Sequence, residues 1–595
     1  MNLWQKINIF FTKSELKKLI FLFVGMLIMA LIETIGVTTI VPFIAVVVSP
    51  ELIHENSYLA QIYNFFSFQS ETNFIIFLGV VLITVLLISN SFQAFMVWII
   101  TYFTNMQGCR LSVRLLENYL ERPYGFFLIR NTSELGKNVL TEVERVTTGI
   151  FMQSLLILSK IVVALFLFLL LLFVNPLIAI TLVIFLGSIY SLIFKFVKHR
   201  LHHIGGATTE ENFKRFKIAN EAFSGIKEIK LHSSEQEFVK RFLSPAKKLA
   251  IFGSQKILIG SLPRYFLEVI AFGGIVAIII FLLSSSNGLD NNIIPVISLY
   301  AMVGYRLMPA LQQIYSSLTN LKFNIPAFEY LVKEFSNSNN EKKEEVKQSS
   351  MVFREKLQIN KLNFKYQGSV TPVLNKLDLV IHHNTTVGIV GSTGSGKTTL
   401  IDIILGLHSP ESGDISLDGL KINNQNILAW QKNIGYVPQS IYLTDDTILA
   451  NIAFAVPGDE ISIEKAKKAA KMANLHEFIT TLPEEYETIV GERGVRLSGG
   501  QCQRIGIARA LYHNPKVLIL DEATSSLDSL TESAIMDAIK NLSHKKTIII
   551  IAHRLSTLVE CDIIHMMANG KIIDSGTYTQ LIKNNTEFKK MSKQF

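Results

Sequence analysis

The chain has 595 residues, of which 49% are hydrophobic and only 18% charged, with a mean hydropathy of +0.35. Such a chain holds two or more domains and is too apolar for an ordinary soluble protein, the excess lying in its first half. The net charge of +9 is read as Lys- and Arg-rich cytoplasmic loops rather than a nucleic-acid surface, and Cys109, Cys502 and Cys561 have no metal spacing and read as reduced thiols.

Met1 to Lys18 is polar and basic. The apolar run that follows is too long for a cleaved signal peptide and lacks a small-residue cleavage site. A helix needs about 20 apolar residues to cross a bilayer. Six segments qualify: 19–48, 74–104, 147–174, 177–197, 259–283 and 293–317, with only Asn175-Pro176 between the third and fourth. The connections Ser49–Thr72 and Ser284–Asn292 contain no Lys or Arg, whereas the N-terminus and the 105–146 and 198–258 connections are rich in both. By the positive-inside rule both termini and the two long connections are cytoplasmic, and a bacterial inner (plasma) membrane is the expected location. The long connections are expected to continue the helices beyond the membrane.

Within the first external connection, Tyr58 to Phe66 carries an apolar face at helical spacing, suited to the outer lipid interface or to capping the bundle. Two cytoplasmic turns, Arg122–Arg130 and Asn220–Lys227, are candidates for short helices that dock on the second half of the chain, with Phe126, Phe127 and Phe223 as apolar plugs for a groove on its surface, or for ordinary helical hairpin tips. Glu33, Lys160, Arg264, Glu268 and Arg306 fall within spans, where ionisable groups are costly. Two readings stand for Arg264 and Arg306. As guanidinium groups lining a cavity they suit an anionic cargo such as a pyrophosphate. Alternatively they pair internally, Arg264 with Glu268 one turn away.

Ser336 to Ser350 is polar, charged and without hydrophobic period, and reads as a linker. From Met351 apolar strands alternate with helical patterns. The expected organisation is an α-helical six-span transmembrane domain over 1–335, the linker 336–350, and an α/β P-loop domain over 351–595.

In that second half, Gly391-Ser392-Thr393-Gly394-Ser395-Gly396-Lys397-Thr398-Thr399 fits the phosphate-loop pattern. It follows the apolar run 386–390 and precedes a helical one. Glycines let backbone N–H groups close around a phosphate. Lys397 is expected at the β- and γ-phosphates of ATP and Thr398 at Mg²⁺. Lys516 to Glu522 is a buried strand ending in two acids. Asp521 is expected to hold Mg²⁺ through water, and Glu522 to polarise the attacking water. His553 follows another apolar strand and is placed to contact the γ-phosphate. Gln439 follows 434–438 and is placed to reach Mg²⁺ or the water, and Tyr366 lies upstream to stack on adenine. Taken singly, each of these three is more often a packed aromatic, a core histidine or a generic polar residue; their order and spacing carry the assignment. A second glycine-rich stretch, Leu497-Ser498-Gly499-Gly500-Gln501, offers donors at a helix N-terminus.

This ordered set resembles the nucleotide-binding domain of ABC (ATP-binding cassette) proteins over about 351–595: an adenine-stacking aromatic, Walker A, Gln439, the LSGGQ signature, Walker B with its glutamate, and His553. Ser525 to Asp528 resembles the D-loop, and Val490 to Gly494 a segment typical of ABC exporters. Cys502 departs mildly from the family, where Lys or Arg often follows the signature Gln. The resemblance implies that Ser498, Gly499, Gly500 and Gln501 complete the Walker A site of a second subunit. It also implies ATP and Mg²⁺ as cofactors and ATP hydrolysis coupled to transport. One cassette per chain with no degenerate motif favours a homodimer, with a heterodimer of two different half-transporters as the alternative.

The membrane half resembles ABC flippases of lipid-linked oligosaccharides, on the strength of Tyr58–Phe66, Arg264 and Arg306. The third arginine of that pattern is absent from the second span, where Asn90 and Gln93 are the polar residues. The implied cargo is a polyprenyl-pyrophosphate-linked glycan. Export of another lipid, a drug or a peptide, and an ATP-gated regulator that transports nothing, are the competing readings.

Overall fold

The computed structural model describes residues 9–174, 176–284, 293–338, 351–523, 529–552 and 554–593. Chain contacts divide it into two compact units. One comprises Met1–Arg122 and Ile129–Glu341; the other comprises Lys342–Phe595 together with the short segment Pro123–Leu128.

The first unit is helical. Its first expected span is split into Lys13–Thr38 and Ile40–Val48. The break falls where Pro42 lacks the N–H that would bond the carbonyl of Thr38. Helix Glu71–Leu120 runs for 50 residues, about 75 Å at 1.5 Å per residue. That outruns a hydrocarbon core of about 30 Å, as expected for a span that continues into the cytoplasmic connection. Among the described residues Lys13–Val48, Glu71–Leu120 and Thr132–Phe173 are long and apolar enough to cross a membrane. The other three expected spans lie on helices Pro176–Ser224, Glu235–Ser284 and Ile293–Ser338. Asn175 and residues 285–292 fall outside the described residues. The linker expected at 336–350 begins inside the last of these helices, which reaches Ser338; 339–350 lies outside the described residues.

The external segment expected to be amphipathic forms helix Ser57–Phe65, capped by the Asn56 side chain accepting from Tyr58 N and Leu59 N. None of its residues is buried, and Tyr58 and Phe65 are exposed. Of the two expected cytoplasmic turns, 122–130 holds the short helix Tyr124–Ile129. In 220–227 helix Pro176–Ser224 stops before Gly225 and a new helix, Ile226–Leu231, begins.

The second unit contains two sheets. An antiparallel sheet has the order β2-β1-β4-β5, built from β1 (Lys356–Phe364), β2 (Leu374–His382), β4 (Ser412–Leu417) and β5 (Leu420–Lys421). It was not foreseen as a separate sheet. Its strands alternate buried and exposed residues, the mark of a sheet with one face on the core. The main sheet has the order β10-β9-β3-β8-β7-β6. Its strands are β3 (Thr386–Gly391), β6 (Ile434–Val437), β7 (Val517–Asp521), β8 (Thr547–Ile551), β9 (Ile563–Ala568) and β10 (Lys571–Gly576). β3, β7 and β8 are buried at every residue and pair in parallel, so their runs of Val, Ile and Leu are explained by cover on both faces.

Two cores cover those faces. Val387 and Ile389 of β3, Val517 and Ile519 of β7, and Ile549 and Ile551 of β8 pack in one core with the antiparallel sheet and helix Lys397–Ile404. Val390, Leu518, Leu520, Ile548 and Ile550 pack in the other, with helix Gly499–Leu511. The period of two along each strand therefore places the phosphate-loop helix and the signature helix on opposite faces of one sheet.

Candidate nucleotide-binding site

The phosphate loop springs from the buried end of β3 and closes onto helix Lys397–Ile404. Gly391 has no room for a side chain: a Cβ there would stand 2.2 Å from the carbonyl oxygen of Met567. Gly396, which caps the helix, has φ of +101°, and Gly394 has φ of +81°, conformations that favour glycine. Lys397 is buried, and its ammonium donates to the carbonyls of Gly391 (2.8 Å) and Ser392 (3.1 Å). Burial pulls its pKa down, against the opposing pull of the Glu522 and Asp521 carboxylates. The buried hydroxyl of Ser395 has no hydrogen-bond partner among the described residues. A loop of backbone amides with a buried cation and an orphaned hydroxyl fits a polyphosphate.

Asp521 ends β7 and is buried. The phenol of Tyr436, on neighbouring β6, donates to Asp521 Oδ2 at 3.4 Å. Glu522 follows with φ of +51°, a left-handed conformation costing a non-glycine residue about 1–2 kcal/mol. Its amide bonds Ile551 O at 3.1 Å, which holds the turn against the end of β8. Gln439 Nε2 donates to Glu522 Oε2 at 2.6 Å, so the structure brings Gln439 and Glu522 together as a pair. The Thr398 side chain is exposed at the start of the helix. Carboxylate, hydroxyl and amide oxygens are the hard donors that suit Mg²⁺; Thr398, Asp521 and Gln439 are the residues here that would hold it.

Tyr366 packs in the core beside the phosphate helix. Its hydroxyl lies 3.0 Å from Thr399 Oγ1, and its ring meets Phe364 and His408 edge-on. In the signature, Ser498 caps helix Gly499–Leu511. Gln501 N donates to Ser498 Oγ at 3.3 Å, and Ser498 N donates to Gln501 Oε1 at 2.8 Å. Gln501 therefore holds the turn through its side-chain oxygen, and Gly499 places no side chain at the helix tip. His553 and the D-loop residues 524–528 lie outside the described residues.

Sequence reasoning missed Tyr436, Asp402 and Tyr124. Burial and the nearby Asp521 charge push the Asp402 carboxyl up to about 6. Tyr436 was legible in principle, since strand alternation puts it on the phosphate-helix face beside Ile519. Tyr124 belongs to the 123–128 segment and packs against His408 with centroids 5.6 Å apart. The turn 122–130 was expected to dock on the second half of the chain, as segment 123–128 does, but the Tyr124–His408 pair was not foreseen.

In the membrane unit, Arg264 Nε bonds Glu268 Oε1 at 2.7 Å. Arg306 Nη1 lies 3.3 Å from Asn90 Oδ1 and 3.7 Å from buried Glu33. Both arginines thus take the internal pairing that stood as the alternative to cargo contact.

This geometry is that of a P-loop ATPase fused to a helical membrane unit. Residues 40–308 match the ABC transporter transmembrane region and 374–525 the ABC transporter ATP-binding family. The heterocyst differentiation ATP-binding protein HepA of Nostoc sp. is 30% identical over 480 residues, 80% of this chain and 77% of that protein. An ATP-dependent lipid A-core flippase of Shewanella denitrificans is 45% identical over 228 residues, 38% of each chain. A putative multidrug export ATP-binding/permease protein of Staphylococcus aureus is 44% identical over 227 residues, 38% of this chain and 39% of that one. The match thus spans well under half the length of the last two. The fold is that of a bacterial Atm1-family ABC exporter solved with ATP bound: TM-score 0.77 at 21% identity, covering 98% of this chain and 99% of that one. The chain belongs to the ABC transporter family, and with one membrane region and one ATP-binding region it is a half-transporter of exporter architecture.

Proposed function

We propose that two copies of this chain form an ATP-driven exporter that flips a lipid-linked oligosaccharide, carried on a polyprenyl pyrophosphate, from the cytoplasmic to the outer leaflet of a bacterial inner membrane. One observation carries the dimer: the phosphate-loop helix and the signature helix occupy opposite faces of the main sheet. A chain built this way presents Ser498 and Gly499 away from its own Lys397. A second copy, related by a two-fold axis, supplies them. In each composite site Lys397 and the loop amides orient the phosphates and Tyr366 stacks on adenine; Thr398, Asp521 and Gln439 would hold Mg²⁺, which would supply neutralisation of developing phosphate charge. Glu522, fixed by Gln439 and by its strained backbone, accepts a proton from the attacking water, and His553 contacts the γ-phosphate.

A mixing experiment tests the shared site. Lys397→Ala and Ser498→Arg each inactivate a homodimer. In a mixed dimer one composite site keeps both residues, so mixing restores ATP hydrolysis if sites are shared and restores none if each chain completes its own.

The cargo reading is supported by helix Ser57–Phe65, which exposes Tyr58 and Phe65, and by a relative that bears the name of a lipid A-core flippase. Export of a different lipid or a drug is the second reading, favoured by the pairing of Arg306 with Glu33 and Asn90. Proteoliposomes with a fluorescent polyprenyl-pyrophosphate glycan separate the two. Under the first reading ATP drives translocation and Arg264→Ala/Arg306→Ala abolishes it. Retention of that transport in the double variant rules out a guanidinium-bound pyrophosphate.

A further inference from the structure

Helix Lys397–Ile404 carries Lys397 and Thr398 at its start, and the chain just beyond its end carries a histidine that the nucleotide chemistry does not use. The helix stops at Gly406, whose φ is +73°, and Leu407 N donates back to Asp402 O at 2.8 Å. That reversal sets His408 against the end of β1. Its imidazole meets Phe364 with centroids 5.1 Å apart and, edge-on, Tyr366 at 5.6 Å. It also meets Tyr124 at 5.6 Å, and a Cβ built on Gly125 would stand 3.8 Å from His408 Cε1. The Nε2 of His408 is buried with no hydrogen-bond partner among the described residues, and burial lowers the imidazole pKa. A neutral ring is therefore held in place by its aromatic neighbours.

Two of those neighbours belong to different tasks. Tyr366 is half-buried, and its hydroxyl lies 3.0 Å from Thr399 Oγ1 on the phosphate-loop helix. Tyr124 lies in segment Pro123–Leu128, which packs with the ATP-binding unit, although the chain on both sides of it, up to Arg122 and from Ile129, belongs to the membrane unit. Helix Glu71–Leu120 ends four residues before Tyr124, so a displacement of that helix pulls on Tyr124 through the backbone itself. Tyr124, His408 and Tyr366 thus form an unbroken run of rings. Rings packed this closely leave no space for one to turn alone.

We infer, on the reading that Tyr366 stacks on adenine, that His408 is a positioning residue for ATP: it ties the seat of Tyr124 to the orientation of Tyr366, so that the bound base and the docked segment 123–128 favour each other. The coupling is reciprocal. Whatever factor the base adds to docking of the segment, docking adds to affinity for the base.

Equilibrium binding to the full-length protein in a Glu522→Gln background tests it, with ATP and base-free tripolyphosphate as probes. His408→Ala and Tyr124→Ala should each raise the Kd for ATP about fivefold and leave that for tripolyphosphate unchanged, since the phosphate loop is intact. The double variant should be no weaker than either single one, because each breaks the same run of contacts. His408→Phe, which keeps a ring, should retain ATP affinity. Equal weakening of both probes would make His408 a prop for the phosphate-loop helix and overturn the inference, as would additive losses in the double variant. Tyr124 is 39% exposed and can be truncated without opening the core. Its variant decides the matter if His408→Ala does not fold, and wild-type ATP affinity in Tyr124→Ala refutes the link. Tyr366→Ala tests the premise separately. Unchanged ATP affinity there refutes adenine stacking, whereas affinity lost there but kept in Tyr124→Ala refutes the link through His408 alone.

Discussion

Buried charge is handled in opposite ways by the two units. In the membrane unit ions are matched with one another. Glu142, fully buried, takes Arg145 at 2.9 Å and Lys137 at 3.6 Å, and Arg145 reaches on to Thr209 at 2.9 Å. In the ATP-binding unit, buried Lys397 has only carbonyl oxygens as hydrogen-bond partners among the described residues, while the acids Asp521 and Glu522 sit nearby at the end of one strand. An ion placed against its counter-ion holds helices together. A cation held by neutral dipoles beside unneutralised backbone amides attracts a ligand that brings its own negative charge.

The contrast can be broken or sharpened by substitution. The largest effect is expected at Glu522. Glu522→Gln keeps the shape and the contact with Gln439 but removes the base, and phosphate release should fall about 1,000-fold with nucleotide binding retained. Next is Glu142→Ala, which strands Lys137 and Arg145 in the interior. It should cost about 3–5 kcal/mol, read as a lowered unfolding midpoint, with little change in the nucleotide affinity of the folded fraction.

A smaller effect follows from pH. Burial depresses the pKa of His565, on β9, to about 4 from 6.5, and its Nε2 has no partner among the described residues. The unfolded chain binds the proton and the folded one resists it. Stability is therefore full above pH 6.5 and is lost as pH falls toward 4, by about 2–3 kcal/mol. His565→Gln should flatten that slope in denaturation midpoints measured from pH 7 to 4.5. Smallest is Gln501→Ala, which removes the reciprocal cap of the signature helix at a cost of about 1 kcal/mol. If its effect on ATP turnover instead exceeds about tenfold, Gln501 contacts nucleotide as well as capping the helix.

The phosphate loop was readable because its backbone requirements are local. A phosphate loop needs glycine at Gly391, Gly394 and Gly396 for reasons of backbone reach, so spacing alone identifies it. β3, β7 and β8 were readable as apolar runs because both of their faces are covered. The strain at Glu522, the phenol of Tyr436 on Asp521 and the seat of Tyr124 against His408 were not readable, because each depends on strands or segments far apart in the chain. The antiparallel sheet escaped notice because β1 and β2 alternate buried and exposed residues, a weaker signal than an unbroken apolar run.

What the sequence determined by itself was the class of machine: apolar segments long enough to span a bilayer, and an ordered set of glycines, acids and amides for a nucleotide. Tertiary structure alone decided which charges remain for a ligand. Hydropathy shows that Arg264, Arg306 and Glu33 are costly in place, but only folding shows that Glu268 answers the first, and Glu33 and Asn90 the second. It also decided that the two glycine motifs stand on opposite faces of one sheet. The reason is physical: composition and periodicity report which face a residue turns to the core, and the partner waiting on that face comes from another part of the chain.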